Sequence, residues 1–326
     1  MAIHIDCHGE THVGRHRSSN EDQFLIADLN KSMRIHQTSL GLSHQTRLFG
    51  GSQGKLLLVA DGLGGHESGE RASTLAVDGV ANHLLNAMDW FLRVNSSNQS
   101  DFEADLANAF RHSQDVVEAE ADAIPQRRGM ATTMTMAYVD WPKVYVVHVG
   151  DTRCYHISDG RIHRVTTDHT MEHLIKLAAT QNRIDEKDQD TNPAITKHTL
   201  WNVIGGNTDS LEPQISRAKL NVEDSLLLCS DGLTSYVNDN EILQMIEQKK
   251  TSKEVCHCLI QLANDRGGKD NITAVHARFN QGAKGIEDHS TAENEFDSSQ
   301  AKDVALDREP FTSDGPISIP LTKPTA

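Results

Sequence analysis

No stretch of this chain approaches the run of about 18 apolar residues that a membrane-crossing helix needs. The amino terminus, Met1-Ala2-Ile3-His4-Ile5-Asp6, lacks the basic and apolar regions of a secretory signal. Positive charge is also short, since 31 lysines and arginines face 46 aspartates and glutamates, a net charge of −15. That balance argues against a nucleic-acid partner and suits solubility or cation binding. Cysteine is sparse and scattered, at positions 7, 154, 229, 256 and 258. Cys7, Cys154 and Cys229 fall in strand-like runs and read as core residues in a reducing, cytoplasmic compartment. Cys256-His257-Cys258 reads as mid-helix, and the second ligand pair that structural zinc requires is missing. Proline is concentrated, with four of the eight at 310, 316, 320 and 324. Apolar periodicity fades in the same region. Residues 281–326 cannot bury enough surface to offset their ordering entropy and are expected to form a disordered acidic tail. Residues 1–280 are expected to form the one folded domain.

What the chain does have is a stretch that organises the rest, Leu56-Leu57-Leu58-Val59-Ala60-Asp61-Gly62-Leu63-Gly64-Gly65-His66. Leu56 to Ala60 is apolar without alternation, so it reads as a strand covered on both faces. Asp61 stands where that strand runs out. Gly62, Gly64 and Gly65 then permit positive φ or close backbone approach. A carboxylate at the end of a buried strand is costly unless a cation or donors meet it. Asp-Gly is also a common turn. Asp159-Gly160, between Tyr155-His156-Ile157 and Arg161-Ile162-His163, reads as such a two-residue hairpin. At Asp61 the extra glycines and the helix that follows at once ask for more than a turn.

Residues 2–13 and Gln23 to Ala27 read as strands. Between them, Arg17 with Glu21 and Asp22 fits either a solvated turn or a phosphate clamp beside two metal-shell carboxylates. Residues 31–54 are polar, contain Gly50, Gly51 and Gly54, and read as a long loop. Ser68 to Arg93 carries an apolar stripe at helical spacing through Ala72, Leu75, Ala76, Gly79, Val80, Leu84, Ala87, Met88 and Phe91. A second helix is expected from about Asp101 to Ala123, ending before Pro125. Strands return at Met130 to Val139 and at Val144 to Val149, the latter ending in Gly150-Asp151-Thr152-Arg153. A helix is expected near Met171 to Ala179, and the polar 180–210 segment reads as a mobile flap. Leu226-Leu227-Leu228-Cys229-Ser230-Asp231-Gly232-Leu233 repeats the design of a buried strand ending in Asp-Gly. Helices at Asp239–Gln248 and Ser252–Asn264 and a turn at Arg266–Lys269 lead to Asp270-Asn271 and a last strand, Ile272 to Phe279.

Asp61, Asp151 and Asp231 thus end buried strands and Asp270 opens one. If those strands pair, the carboxylates converge at one edge. Crowded carboxylates repel one another, and hard divalent cations resolve the conflict. Oxygen-only ligands point to magnesium or manganese rather than zinc. Two such ions about 3.5–4 Å apart can turn a bridging water into a nucleophile for in-line attack on phosphorus. Arg17 would hold the phosphoryl oxygens. A metal-dependent phosphoryl hydrolase follows, although pockets of this kind also serve other hydrolyses.

In this order the motifs resemble those of the metal-dependent serine/threonine protein phosphatases of type 2C, the PPM family, in its bacterial branch. They are Asn20-Glu21-Asp22, Asp61-Gly62-Leu63-Gly64-Gly65-His66, Gly150-Asp151-Thr152-Arg153, Asp168-His169-Thr170, Ser230-Asp231-Gly232-Leu233 and Asp270-Asn271-Ile272-Thr273. The resemblance covers about residues 7–279. It implies an α+β fold, a four-layer αββα sandwich with two central antiparallel sheets flanked by helices. It implies that Asp61 bridges two Mn2+ or Mg2+ ions, that the Gly62 carbonyl binds one, and that Asp231 and Asp270 bind the other. Glu21 and Asp22 would hold the metal shell through water. Arg17 would bind the phosphate, and Asp151 with Asp231 would form a third, weaker metal site. The catalytic set would be Asp61, Arg17 and Asp231, and the flap would span 171–205.

Some positions depart from the family pattern. Leu63 stands where eukaryotic members carry a histidine proposed as general acid. No side-chain acid is therefore assigned, and metal-bound water is left to protonate the leaving group. Ala131 replaces a common glycine, and His66 reads as structural. The activity implied is hydrolysis of phosphoserine and phosphothreonine in proteins, by a monomer that reverses a serine/threonine kinase. The contrasting reading is a catalytically weak phosphoprotein-binding regulatory module on the same fold. Its mark would be a lost metal ligand, and none is lost.

Overall fold

Leu56, Leu58 and Ala60 turn to one side of their strand, and Leu57 and Val59 turn to the other. All five are buried, and this division fixes the layers. The computed structural model describes residues 3–34, 47–65, 67–86, 99–180, 196, 198–207 and 210–282. Its strands are β1 (Ile3–His12), β2 (Asp22–Arg34), β3 (Arg47–Leu63), β4 (Ala131–Asp140), β5 (Lys143–Val149) and β6 (Arg153–Ser158). They continue as β7 (Arg161–Arg164), β8 (Ile204–Gly205), β9 (Gln214–Lys219), β10 (Ser225–Cys229) and β11 (Ile272–Gln281). One antiparallel sheet has the order β1-β11-β10-β6-β7. The other runs β2-β3-β4-β5-β9, with β8 paired to β4.

The helices are α1 (Glu67–Asn86), α2 (Gln99–Ala123), α3 (Met171–Thr180), α4 (Asp231–Thr234), α5 (Asp239–Gln248) and α6 (Ser252–Asp265). Ala72, Leu75, Ala76, Val80 and Leu84 of α1 join Leu106 and Phe110 of α2 against Leu56, Leu58, Met134 and Met136. Ile242 and Ile246 of α5 and Val255, Leu259 and Ile260 of α6 cover Tyr155, Leu227 and Ile272 of the other sheet. Between the sheets, Leu57, Val59, Val144 and Val146 meet Leu226, Leu228, Val275 and Phe279. Three apolar interfaces separate four layers, which is the αββα sandwich expected. Burial of unbroken apolar runs on both faces is what makes β3 and β10 central strands.

Several local expectations hold. Asp159 (φ 50°) and Gly160 (φ 67°) make the tight turn between β6 and β7. Trp141-Pro142 turns the chain between β4 and β5 through a cis peptide bond. Asn238 and Thr251 cap α5 and α6 through reciprocal capping boxes with Glu241 and Glu254. Cys256 lies within α6, with its Sγ donating to the His8 carbonyl.

Other expectations are corrected. Residues 31–54 are not simply a loop, because β2 continues to Arg34 and β3 begins at Arg47, paired Ser32 to Phe49 and Arg34 to Arg47. This ribbon runs past the last rung shared with β4, at Lys55. Asp61 is not the end of β3, which pairs onward through Leu63. Asp231 opens the short helix α4 rather than closing β10. The last strand reaches Gln281, into the segment read as tail. Helix α2 starts at Gln99, before Asp101. His66, Met88, Phe91, most of the flap and residues from 283 onward lie outside the described residues.

Candidate active site

Antiparallel neighbours run in opposite senses, so the end of one strand lies beside the start of the next. The start of β2, the ends of β3, β5 and β10, and the start of β11 therefore share one end of the sandwich. There a cavity of about 190 Å³ opens between the sheets. Its acidic lining is Glu21, Asp61, Asp151, Asp231 and Asp270, joined by Arg17, Gly62 and Asn271. Leu63, His198 and Leu200 complete it.

Asp22 is opposite Asp61 in the β2–β3 register. It is only 2% exposed and does not line the cavity. Its Oδ2 accepts from Ser230 Oγ at 2.7 Å and from Thr273 Oγ1 at 2.6 Å. Its Oδ1 is buried with no hydrogen-bond partner. Glu21 is held by its backbone. Its N–H donates to Asn271 Oδ1 (2.8 Å), and its carbonyl accepts from Ser73 Oγ (2.6 Å) and from the Gly62 N–H (3.2 Å). The start of α1 presses close here. A Cβ on Gly62 would stand 2.2 Å from the Gly69 carbonyl oxygen, and one on Gly69 would stand 1.9 Å from Glu21 Oε2. At position 62 the obstruction is backbone, so only glycine fits there, whereas a side chain at 69 would have to displace the Glu21 carboxylate.

Burial pushes the Asp61 carboxyl well up, and Asp22, Asp231, Asp151 and Asp270 push it further. Burial, then Asp231 and Asp168, raise Asp151 to about 8 against the pull of Arg153. Burial raises Asp22 to about 7, although Thr273 and Ser230 lower it. Asp231 is raised by burial and Asp270, and is pulled down by His198, Arg153 and Arg17. Arg17 donates to Asp270 Oδ2 at 2.8 Å, both side chains being about two-fifths exposed. The expected phosphate clamp therefore rests on a carboxylate of the same cavity.

The carboxylates share one cavity. Yet among the described residues no three histidine, cysteine, aspartate or glutamate side chains already stand in a chelating group. Hard oxygen donors, raised carboxyls and the orphaned Asp22 Oδ1 all fit a divalent cation of the magnesium or manganese type.

Sequence reasoning gave no role to the residues that brace this set. Asn271 Nδ2 donates to the carbonyls of Val13 and Ser19, at 3.0 and 2.9 Å, while its Oδ1 takes the Glu21 N–H. It thereby ties the loop that carries Arg17 to the start of β11. Arg153 makes a two-pronged pair with Asp168, at 3.0 and 2.6 Å, behind Asp151. His169 clamps Gly150 from both sides, its N–H donating to the Gly150 carbonyl (2.7 Å) and its Nδ1 accepting the Gly150 N–H (3.1 Å). The signal for each was its place in a motif, one or two residues from an acidic residue. His198 carried no such signal, since it lies in a polar segment without periodicity.

Residues 42–275 match the family model described as Protein phosphatase 2C. The serine/threonine protein phosphatase PstP of Mycobacterium tuberculosis is 31% identical over 223 residues, 68% of this chain and 40% of that protein. The chain thus spans less than half of that relative's length. The serine/threonine phosphatase stp of Listeria innocua is 30% identical over 230 residues, 71% of this chain and 86% of its own. Among solved structures, the catalytic domain of PstP in complex with 2 manganese ions superposes with a TM-score of 0.61 at 27% identity. That match covers 86% of this chain and 100% of the other.

Proposed function

The chain belongs to the protein phosphatase 2C family, and we propose that it is a metal-dependent protein serine/threonine phosphatase. The observation that carries this reading is the single cavity lined by five carboxylates beside Arg17. Asp61 and the Gly62 carbonyl would hold one Mn2+ or Mg2+, and Asp61 with Asp231 and Asp270 a second. Asp151 and Asp231 would take a weaker third. Glu21 would act through water, and Asp22 would do so from beneath the cavity. The bound cations would supply charge neutralisation and an activated water for attack on phosphorus.

The chain's own side chains bind and orient the substrate. A guanidinium has five N–H donors, more than one carboxylate occupies, so Arg17 can span Asp270 and a phosphoryl oxygen together. Leu63 and Leu200 give the cavity margin an apolar edge. Phosphoproteins made by an opposing serine/threonine kinase are the proposed substrates. The proposed setting is the cytoplasm, which suits five unpaired cysteines, and the proposed working form is a monomer. No helix among the described residues is long and apolar enough to cross a membrane. The binding-module reading is not favoured, because each expected acidic residue stands in the cavity wall or directly beneath it.

The direct test is phosphate release from a phosphothreonine peptide. Release is expected with Mn2+ or Mg2+ and is expected to stop in chelator. Absence of release with either metal would overturn the reading.

A second prediction concerns pH. Asp22 and Asp151 titrate at about 7 and 8 in the folded chain, against 3.8 ordinarily. A raised carboxyl means the folded state holds more protons than the unfolded state, so stability falls as pH rises between those values. In chelator, Tm should decline steadily from pH 5 to pH 8. Mn2+ should raise Tm most at pH 8, because ligands must lose their protons to bind. A Tm in chelator that climbs over this range would contradict the repelling cluster.

A further inference from the structure

We propose that His198 is the proton donor to the leaving oxygen, an inference that rests on the phosphatase reading above. The leaving oxygen of phosphoserine or phosphothreonine departs as an alkoxide unless it is protonated, so a donor beside it matters. The lining side chains offer few donors. Leu63 has none. Arg17 does not release a proton at any working pH. The five carboxylates serve as cation ligands in this reading. The Asn271 carboxamide does not release a proton and is spent on backbone carbonyls, which leaves an imidazole, the group best suited to proton transfer near neutral pH.

Placement supports the role. The Met171 N–H donates to the Thr199 carbonyl at 2.8 Å, and the Trp201 N–H donates to the His169 carbonyl at 3.0 Å. Thr170 and Leu200 form an antiparallel bridge between these two bonds. Residues 199–201 are therefore extended, with His198 at the turn just before them. His198 and Leu200 both line the cavity, whereas the Trp201 ring packs on His169 with centroids 5.0 Å apart. Asn202 fastens the next step, bonded to the backbone of Glu212 at 2.7 and 3.2 Å and to His169 Nδ1 at 3.0 Å. His198 is thus carried on a pinned segment. Asp231 lines the same cavity.

In the step, a water oxygen forms the new bond to phosphorus as the bond to the side-chain Oγ breaks. The electron pair of the broken bond stays on Oγ, which takes the proton of His198. One proton of the attacking water remains on the phosphate. The other goes to solvent, from which His198 is reprotonated.

The test compares two substrates in Mn2+, using the full chain and its His198→Ala variant. One is a phosphothreonine peptide, whose leaving oxygen needs the proton. The other is 4-nitrophenyl phosphate, whose leaving group departs as a stable phenolate. The expected result is a fall in peptide kcat of about 100-fold, as for loss of a general acid, with a much smaller fall on the aryl phosphate. Added imidazole should restore part of the peptide rate, and the Mn2+-induced rise in Tm should match that of the unaltered chain. Equal losses on both substrates, or no loss on the peptide, would overturn the assignment of His198. An unaltered chain that releases no phosphate from either substrate would overturn the phosphatase reading, and His198 with it.

Discussion

Asp61→Asn should abolish metal-dependent phosphate release while the chain stays folded. The loss should exceed the 10–100-fold that removal of an outer-shell metal partner typically costs. Asparagine keeps the shape of the side chain and removes its charge. Four other carboxylates push on Asp61 in the folded state. Removing one member of a repelling, buried set relieves the rest. In chelator at pH 8 the variant should therefore melt above the unaltered chain, although it is inactive. Its Mn2+-induced rise in Tm should shrink sharply. These opposite signs separate a ligand from a structural turn residue. Were Asp61-Gly62 only a turn, the variant would melt at the same temperature with and without Mn2+, as would the parent chain.

Asn271→Ala should be the most damaging change outside the acidic set. The carboxamide makes three bonds to the backbone of the loop from Val13 to Glu21, and the residue is 4% exposed. Deleting it leaves one N–H and two carbonyls without their partner. A buried backbone group left unsatisfied costs about 1–3 kcal/mol. Water will reach some of them, so a loss of about 2–5 kcal/mol is expected in a denaturant melt. The same loop positions Arg17 and Glu21, so kcat/KM on the phosphopeptide should fall together with stability. Asn271→Asp should not rescue either property. A carboxylate cannot donate to two carbonyls, and its charge would sit beside Asp270. A variant that loses stability and keeps full kcat/KM would show that the loop holds its shape without this brace.

The four layers were legible because burial on both faces leaves an unmistakable mark. Leu56 to Ala60 and Leu226 to Cys229 carry no polar residue, and only a strand between two covered faces allows that. Asp61 and Asp231 were legible because each follows such a run, and Asp151 and Asp270 because each borders a strand. The 31–54 ribbon was not. There β2 and β3 pair only with each other beyond Lys55. A two-stranded ribbon is held by its ladder of backbone hydrogen bonds, and those leave no hydrophobic period to read. Asn271, Arg153 and His169 had visible motif positions, but their work is done on backbone groups or charges distant in sequence. The resemblance to type 2C phosphatases supplied the ligand assignments, and no spacing rule would have done so. His198 was hidden for a plainer reason. A side chain brought in by a polar segment reveals its place only when the cavity is assembled.

The bracing by Asn271 also sets a condition on timing. Glu21 meets Asn271 across 250 residues of sequence, and Arg17 meets Asp270 across 253. The first strand pairs along its whole length with the last, from Ile3 opposite Gln281 to His12 opposite Ile272. During synthesis the ribosome delivers β1 long before β11. Until then β1 has no neighbour in its sheet, and Arg17 has no Asp270 to meet. Contacts so distant in sequence form late and slowly. A growing chain can assemble the α1–α2 layer on β3 and β4 well before it has a working site. The acidic cavity therefore cannot be complete in any nascent chain that lacks the final strand, because Asp270 and Asn271 of its lining come with that strand.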